Sequence, residues 1–121
     1  MAPTADRQTL VIDLASLDTD GPDGAVWSLP AGSDLNANLV KLSPGGHIDC
    51  HRNAEVDVVI VVVDGAGDLI VDDETHALRP HILAHIPKGA ERELNAGPTG
   101  LVYLSLHRAR GGLQIRPRQP V

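Results

Sequence analysis

The feature that most constrains this sequence is that its apolar residues occur in short runs separated by Gly, Pro, Asp and Asn. Turn signals recur roughly every eight to twelve residues, a spacing typical of a β-sandwich or β-barrel. The sequence shows no convincing amphipathic helix, no internal repeat and no low-complexity tract. The chain is therefore predicted to be all-β, although this pattern alone does not separate an immunoglobulin-like sandwich from a jelly-roll barrel.

The apolar runs predict about ten short strands. The strongest covers Val56–Val63, where β-branched residues occupy both parities, as expected of a strand that is buried on both faces. Turns are predicted at Asp64–Gly67, which would end this strand, and at Asp72–Glu74. The remaining strands are predicted at Thr9–Leu14, Ala25–Leu29, Asn36–Leu42, His47–Asn53, Asp68–Val71, His76–Leu78, Ile82–Ile86, Arg92–Leu94 and Leu101–His107.

Composition limits both the core and the class of partner. The chain has 121 residues, which suffices for one domain with its own core. Trp27 and Tyr103 are its only aromatic residues, so the core and any internal cavity must be built mostly from aliphatic side chains. The formal charge of −6 argues against binding to nucleic acid or to an anionic membrane, because both need clustered Lys and Arg.

Three features indicate the compartment. Cys50 is the only cysteine, so no intramolecular disulfide framework exists. The N-terminus lacks the basic and apolar segments of a secretory signal. The longest apolar run, Val58–Val63, is far too short to span a bilayer. We therefore expect a soluble cytoplasmic protein with no membrane partner.

The segment 45–67 carries the first part of a resemblance to a known family. Its glycine is followed after five residues by His51, with Asn53 two positions further on and a glycine-containing turn at the end. This pattern resembles the first conserved motif of the cupin superfamily, G-x5-H-x-H-x3,4-E-x6-G. His51 matches the first His, whereas Asn53 stands at the second. Counting back from Gly65 across six intervening residues puts Val58 at the Glu position, with Asp57 one residue away.

The segment 80–95 resembles the second cupin motif, G-x5-P-x-G-x2-H-x3-N. His81 is followed after five residues by Pro87-Lys88-Gly89, and Arg92 stands where the motif has its last His. A typical metal-binding cupin supplies three His and one Glu, so one of the four ligand positions is retained here. Arg stays protonated and has no free lone pair, so Arg92 is not a metal ligand. The resemblance therefore implies a cupin with a degenerate metal motif.

What the resemblance implies for the fold is a small single-domain, cupin-type antiparallel β-barrel (jelly roll). It covers roughly residues 36 to 107. We expect residues 36–110 to form the barrel core and residues 1–35 to supply N-terminal strands and loops that pack on it. Residues 111–121, rich in Gly, Pro and Arg, are expected to form a C-terminal tail.

The first functional hypothesis is a small-molecule-binding cupin without a metal cofactor. His51, Asn53 and Arg92 would supply the few convergent polar groups at the mouth of an aliphatic barrel cavity. A buried Arg needs a partner. That partner is either an internal carboxylate (Asp49, Glu55 or Asp57) or an anionic ligand such as a carboxylic acid.

The alternative hypothesis is a metal-dependent cupin enzyme of the dioxygenase or isomerase type. His51, His107 and a nearby carboxylate, Asp49 or Asp57, would hold a divalent Zn, Fe, Mn or Ni ion. Strand alternation places His47, Asp49 and His51 on one face. A metal-free variant would use His51 as a base and Arg92 to stabilise an anionic intermediate.

A homodimer is also expected. The cupin resemblance implies pairing through sheet edges or exchanged terminal strands. The predicted strand Thr9–Leu14 is separated from the barrel by a polar stretch, and it could cover an edge of its own barrel or of a partner's.

Overall fold

Strands make up nearly all the regular structure of the computed structural model, which describes residues 8–109. One short 3-10 helix, Leu14–Ser16, precedes them in the described part of the chain. In chain order the strands are β1 (Gly24–Ser28), β2 (Leu35–Leu42), β3 (His47–Arg52), β4 (Val58–Val71), β5 (Glu74–Leu78), β6 (Leu83–Ile86) and β7 (Glu91–Arg108). All observed pairings are antiparallel. The predicted all-β, cupin-type fold is confirmed.

The two long strands β4 and β7 pair twice and so belong to two layers. In the first layer, Val59–Val62 of β4 pairs with Tyr103–Leu106 of β7, and β2, β1 and β6 extend the sheet. In the second layer, Gly67–Val71 pairs with Arg92–Ala96, and β3 and β5 flank them. The barrel is open, because the outer strands of the two layers do not pair across to close it.

The core lies between these layers and is aliphatic, as the composition requires. Along β4 the side chains of Val58, Ile60 and Val62 are each at most 2% exposed. The alternate residues of this strand are half-buried, which explains why the sequence is apolar at both parities. Tyr103 is the one aromatic side chain in the buried cluster, whose other members include Leu42, Val56, Leu69, Leu78, Ile86, Leu94 and Leu101.

Four of the predicted strands are parts of two longer strands, β4 and β7. The residues Asp64–Gly67 do not end a strand, because β4 runs through them with two irregularities in its pairing. Likewise the segments predicted separately at Arg92–Leu94 and Leu101–His107 belong to the single strand β7. Glycine-rich stretches that resemble turns are bends within strands here. By contrast, the predicted turn at Asp72–Glu74 is confirmed, with positive φ angles of 47° and 73° at its two aspartates.

The predicted strand at Thr9–Leu14 is also wrong. This segment forms no strand and leads into the 3-10 helix, which the carboxylate of Asp13 caps by accepting a 3.0 Å hydrogen bond from the N–H of Ala15. The predicted C-terminal tail, residues 111–121, lies outside the described residues. No helix within residues 8–109 is long and apolar enough to cross a membrane.

The bend of β4 depends on a close approach of two backbones at Gly65. This residue has φ +79°, and a Cβ placed on it would lie 2.2 Å from the carbonyl oxygen of Gly100 in β7. No side chain fits in that space, since real Cβ atoms do not approach within 3.0 Å. Glycine at position 65 therefore lets β4 and β7 stay in contact while both pass from one layer to the other.

Gly65→Ala tests this close approach, and Gly45→Ala is a matched control. Gly45 has a similar φ of +75°, but nothing lies within 4 Å of the position that a Cβ would occupy, so alanine there adds only backbone strain. We expect Gly45→Ala to lower the free energy of unfolding by about 1 kcal/mol. We expect Gly65→Ala to lower it by more than ~3 kcal/mol, because the β4–β7 contact must also open. Urea unfolding measures both, and equal losses would show that the contact with Gly100 does not matter.

Candidate functional site

A cavity of about 350 Å³ lies between the two layers. Its walls come from β1, β2, β3, the first half of β4 and both halves of β7. The apolar lining is Ala25, Val40, Ile48, Val58, Ile60 and Leu94, and the polar lining is Asn38, His51, Arg92, Tyr103 and Ser105. An aliphatic cavity with a few convergent polar groups is typical of a small-molecule site.

A larger hollow of about 750 Å³ lies between β5 and β6, on the other side of the sandwich. Its imidazoles already have carboxylate neighbours. His85 Nε2 lies 3.1 Å from Asp57 Oδ2, and His76 Nε2 lies 3.9 Å from Glu74 Oε1. The two motif residues His51 and Arg92 line the smaller cavity and not this hollow, so we place the candidate site in the smaller cavity.

A β-bulge in β3 turns His51 into this cavity. Ile48 pairs with Leu94 and His51 pairs with Arg92, so two residues of β3, Asp49 and Cys50, oppose only one residue of β7. The bulge breaks the alternation of the strand, and the prediction that His47, Asp49 and His51 share one face is therefore wrong. His47 and Asp49 point outward instead, with 60% and 92% of their side chains exposed. His47 Nε2 lies 3.0 Å from Asp49 Oδ1.

The same bulge fixes the hydrogen-bonding state of the His51 ring. Its Nδ1 lies 2.9 Å from the carbonyl oxygen of Asp49. A carbonyl oxygen only accepts, so Nδ1 donates and carries the hydrogen. In the neutral ring the lone pair is then on Nε2. That nitrogen has no hydrogen bond to any residue between 8 and 109.

Arg92 and Tyr103 come from the two halves of β7 and meet in the cavity. Arg92 lies directly opposite His51 in the β3–β7 register. Tyr103 is 3% exposed, and its hydroxyl forms no hydrogen bond within the described residues. Burial raises the pKa of Tyr103 to about 12, and the nearby Arg92 charge offsets part of this rise. The phenol therefore stays protonated, as a hydrogen-bond donor, at every physiological pH.

The other predicted ligand-binding residue, Asn53, has a local role. Its Oδ1 accepts hydrogen bonds from the N–H groups of Glu55, at 3.0 Å, and Val56, at 3.3 Å. This is an Asx turn that carries the chain from β3 to β4. Asn53 is absent from the residues that line the cavity.

The residues predicted for a rebuilt metal site lie in different places. Hydrogen bonds with the backbone N–H of Lys88 and, second, with His85 lower the pKa of the Asp57 carboxyl, and Asp57 is not among the residues that line the cavity. His107 is 8% exposed, and its Nδ1 lies 2.9 Å from the carbonyl oxygen of Arg108. Asp49 is on the outside with His47. Of the four, only His51 lines the cavity.

The residues present do not fit the metal that the cupin resemblance implies. Within residues 8–109, no three His, Cys, Asp or Glu side chains are grouped so that they could hold a metal ion. The cavity instead combines a single imidazole with the guanidinium of Arg92. A permanent positive charge at this point repels a cation, so the donor set favours an anion.

Sequence reasoning identified His51 and Arg92 as cavity candidates but did not include Tyr103. The signal for it was strand alternation, since residues 103, 105 and 107 share one face of β7. Tyr103 is the only Tyr in a chain that has no Phe, so its place on this face of the strand is a notable signal.

Comparison with known proteins agrees with this architecture. Residues 38–107 match a family model described as "Cupin domain". The cupin domain of Cnp3 from Schizosaccharomyces pombe is similar in structure, with a TM-score of 0.72 and 13% identity over 84% of this chain and 75% of that one. TT1209 from Thermus thermophilus has a TM-score of 0.70 and 22% identity over 84% and 98% of the two chains. KdgF from Halomonas sp. has a TM-score of 0.61 and 25% identity over 69% and 77%. No functionally curated protein matches the sequence.

The state of Tyr103 can be measured directly, because it is the only tyrosine in the chain. Ultraviolet absorbance of the phenolate, followed against pH, should show ionisation near pH 12 in the folded protein and near pH 10 after unfolding in urea. Between these values the folded state binds more protons, so stability falls as pH rises from about 10 to about 12. The loss should be about 2–3 kcal/mol relative to Tyr103→Phe. Ionisation of the folded protein near pH 10 would show that the hydroxyl is in contact with water.

Tyr103→Phe also tests whether the hydroxyl lacks a partner in the protein. Removing a buried hydroxyl that makes no hydrogen bond should leave stability at neutral pH unchanged or raise it by about 1 kcal/mol. Thermal and urea unfolding measure the difference. A clear loss of stability would instead reveal a hydrogen bond that the phenol makes to the rest of the chain.

Proposed function

The chain belongs to the cupin domain family, and we propose that it binds a small organic carboxylate in the cavity between its layers. One observation carries the proposal, namely the buried hydroxyl of Tyr103, which has no hydrogen-bond partner in the described residues and lies beside Arg92. Binding of this kind needs no metal ion.

The energetics of Tyr103 point to a ligand. A buried hydroxyl without a hydrogen bond costs about 1–3 kcal/mol of stability. Buried polar groups are rarely left in this state, and the exceptions mark functional sites or places that hold ordered water or a ligand. A ligand that accepts a hydrogen bond from the phenol would recover this free energy on binding.

The charge of Arg92 selects the class of ligand. Its guanidinium is positive at any physiological pH and presents N–H groups in a planar fork that matches a carboxylate. The phenol of Tyr103 adds a further donor beside it. Together these groups favour a ligand with negatively charged oxygen atoms.

The walls of the cavity limit the rest of the ligand. Six of its lining residues are aliphatic, from Ala25 to Leu94. A volume of about 350 Å³ is at the small end of the range for ligand pockets. We therefore infer a carboxylate with a short apolar body, oriented with its charged end at Arg92 and its body against Ile48, Val58 and Ile60.

The metal-dependent alternative has no observation in its favour, because the residues predicted to hold the ion do not converge within the described part of the chain. The homodimer stays a prediction. It is supported by β1, β3, β5 and β6, each of which has one hydrogen-bonded neighbour among the described strands and so leaves one edge open. The cytoplasmic location also stays a prediction.

A panel of small carboxylates and their neutral amides tests the proposal. We expect the carboxylates to shift the NMR signals of the protein in a saturable way and the amides to bind far more weakly. Arg92→Met, which keeps a long apolar stem, should weaken carboxylate binding about 10- to 100-fold, since a hydrogen bond to a charged group contributes about 1.5–3 kcal/mol.

Arg52→Met is the matched control. Arg52 is next to His51 in β3 but points outward, where its Nη2 lies 2.9 Å from Glu91 Oε1. We expect this variant to bind as the wild type does. Equal binding of amides and carboxylates, or equal losses in the two arginine variants, would overturn the proposal.

A further inference from the structure

We propose that the cavity is also a metal-free catalytic site, in which His51 removes a proton from a 2-oxo acid while Arg92 and Tyr103 stabilise the enolate that forms. This inference rests on the proposed function, since it needs the carboxylate to bind first. It assigns the protein a reaction class, enolisation of a carbon acid, and names the substrate class as short 2-oxo acids.

The first observation is the convergence of one base and two donors in a single aliphatic cavity. His51 and Arg92 are direct partners in the β3–β7 register, so their backbones hold them side by side. Arg92 is close enough to Tyr103 for its charge to influence the phenol. All three side chains line the same cavity of about 350 Å³.

The second observation is the state of the His51 ring. The carbonyl oxygen of Asp49 fixes the hydrogen on Nδ1, so the neutral ring presents the lone pair of Nε2. A backbone hydrogen bond of this kind orients an imidazole for proton transfer, because it holds both the ring and its tautomer. Within residues 8–109 nothing competes for Nε2.

The third observation is that both donors keep their hydrogens. Burial raises the pKa of Tyr103 to about 12, and the guanidinium of Arg92 does not lose its proton in the physiological range. Donors aimed into a cavity with apolar walls stabilise developing negative charge more strongly than water does. The cavity is therefore suited to an intermediate that carries more negative charge on one oxygen atom than its precursor does.

The chemical step follows from these roles and balances without a further reactant. The carboxylate and the 2-oxo oxygen of the substrate accept hydrogen bonds from Arg92 and Tyr103. His51 Nε2 takes a proton from C3, the C3–H electron pair becomes the C2–C3 double bond, and the carbonyl π pair moves onto the 2-oxo oxygen. Return of a proton from the imidazolium to C3 restores the keto form, and exchange with solvent before return replaces hydrogen with deuterium.

A 2-oxo acid matches all three groups. A plain carboxylate can accept hydrogen bonds from Arg92 but has no carbonyl for Tyr103 and no readily removed C–H. The ketone beside the carboxylate supplies both, since it accepts a hydrogen bond and makes the neighbouring C–H acidic.

Deuterium exchange at C3 of 2-oxobutanoate tests the inference. The wild-type protein in D₂O should accelerate loss of the C3 proton signal in NMR spectra over buffer alone. His51→Gln should slow the catalysed exchange about 10²- to 10⁴-fold. Tyr103→Phe should slow it about 10²- to 10³-fold. His76→Gln is the matched control, because His76 is exposed on β5 and does not line the cavity. This variant should catalyse exchange at the wild-type rate.

Binding of 2-oxobutanoate, measured on the same samples by saturable NMR shifts, separates the two proposals. Saturable binding with no exchange above buffer, or with equal exchange in His51→Gln and His76→Gln, would overturn the catalytic inference and leave the proposed function standing. Failure of the wild type to bind 2-oxobutanoate or any carboxylate would overturn both. Tyr103→Phe keeps the test decisive if His51→Gln fails to fold.

Discussion

The double pairing of β4 with β7 is the constraint on which the rest of this structure depends. Each strand passes through both layers, so one register fixes the relative position of almost every other strand. It also builds the site. Arg92 and Tyr103 belong to the same strand but to different layers, and they face a common cavity because β7 bends between them. Packing at Gly65 and Gly100, where no side chain fits, is what lets this bend occur.

The sequence predicted the strands well where apolar residues alternate or cluster and failed where glycine was ambiguous. Glycine ends a strand in a turn but also permits a bulge inside one, and local sequence does not distinguish the two. Whether the strand ends or continues at a glycine depends on the partner strand. At Gly65, β4 continues in contact with Gly100 of β7. The strand predicted at Thr9–Leu14 failed for the opposite reason, since suitable apolar residues find no paired neighbour there.

The candidate site was predictable in part for the same physical reasons. His51 and Arg92 could be found because the motif spacing places them in register. The partners assigned to His51 were wrong, because a single bulged residue reverses the face of everything beyond it. The role of Asn53 could not be predicted from its residue type, since an amide side chain can contact a ligand or form an Asx turn equally well. The importance of Tyr103 depends on what its hydroxyl fails to contact, which only the three-dimensional structure shows.

The presence of arginine at position 92 changes the chemistry of the cavity without changing the fold. Arg92 occupies its place opposite His51 through backbone pairing, and this pairing would be the same for a histidine. An imidazole there would offer a lone pair to a cation, whereas a guanidinium offers only donors and a fixed positive charge. We therefore expect this one side chain to reverse the charge of the ligand that the cavity prefers. Tyr103 fits the reversed site, because burial keeps its phenol protonated and able to donate to an anion. Arg92 and Tyr103 together support the proposal that the ligand of this cavity is an anion.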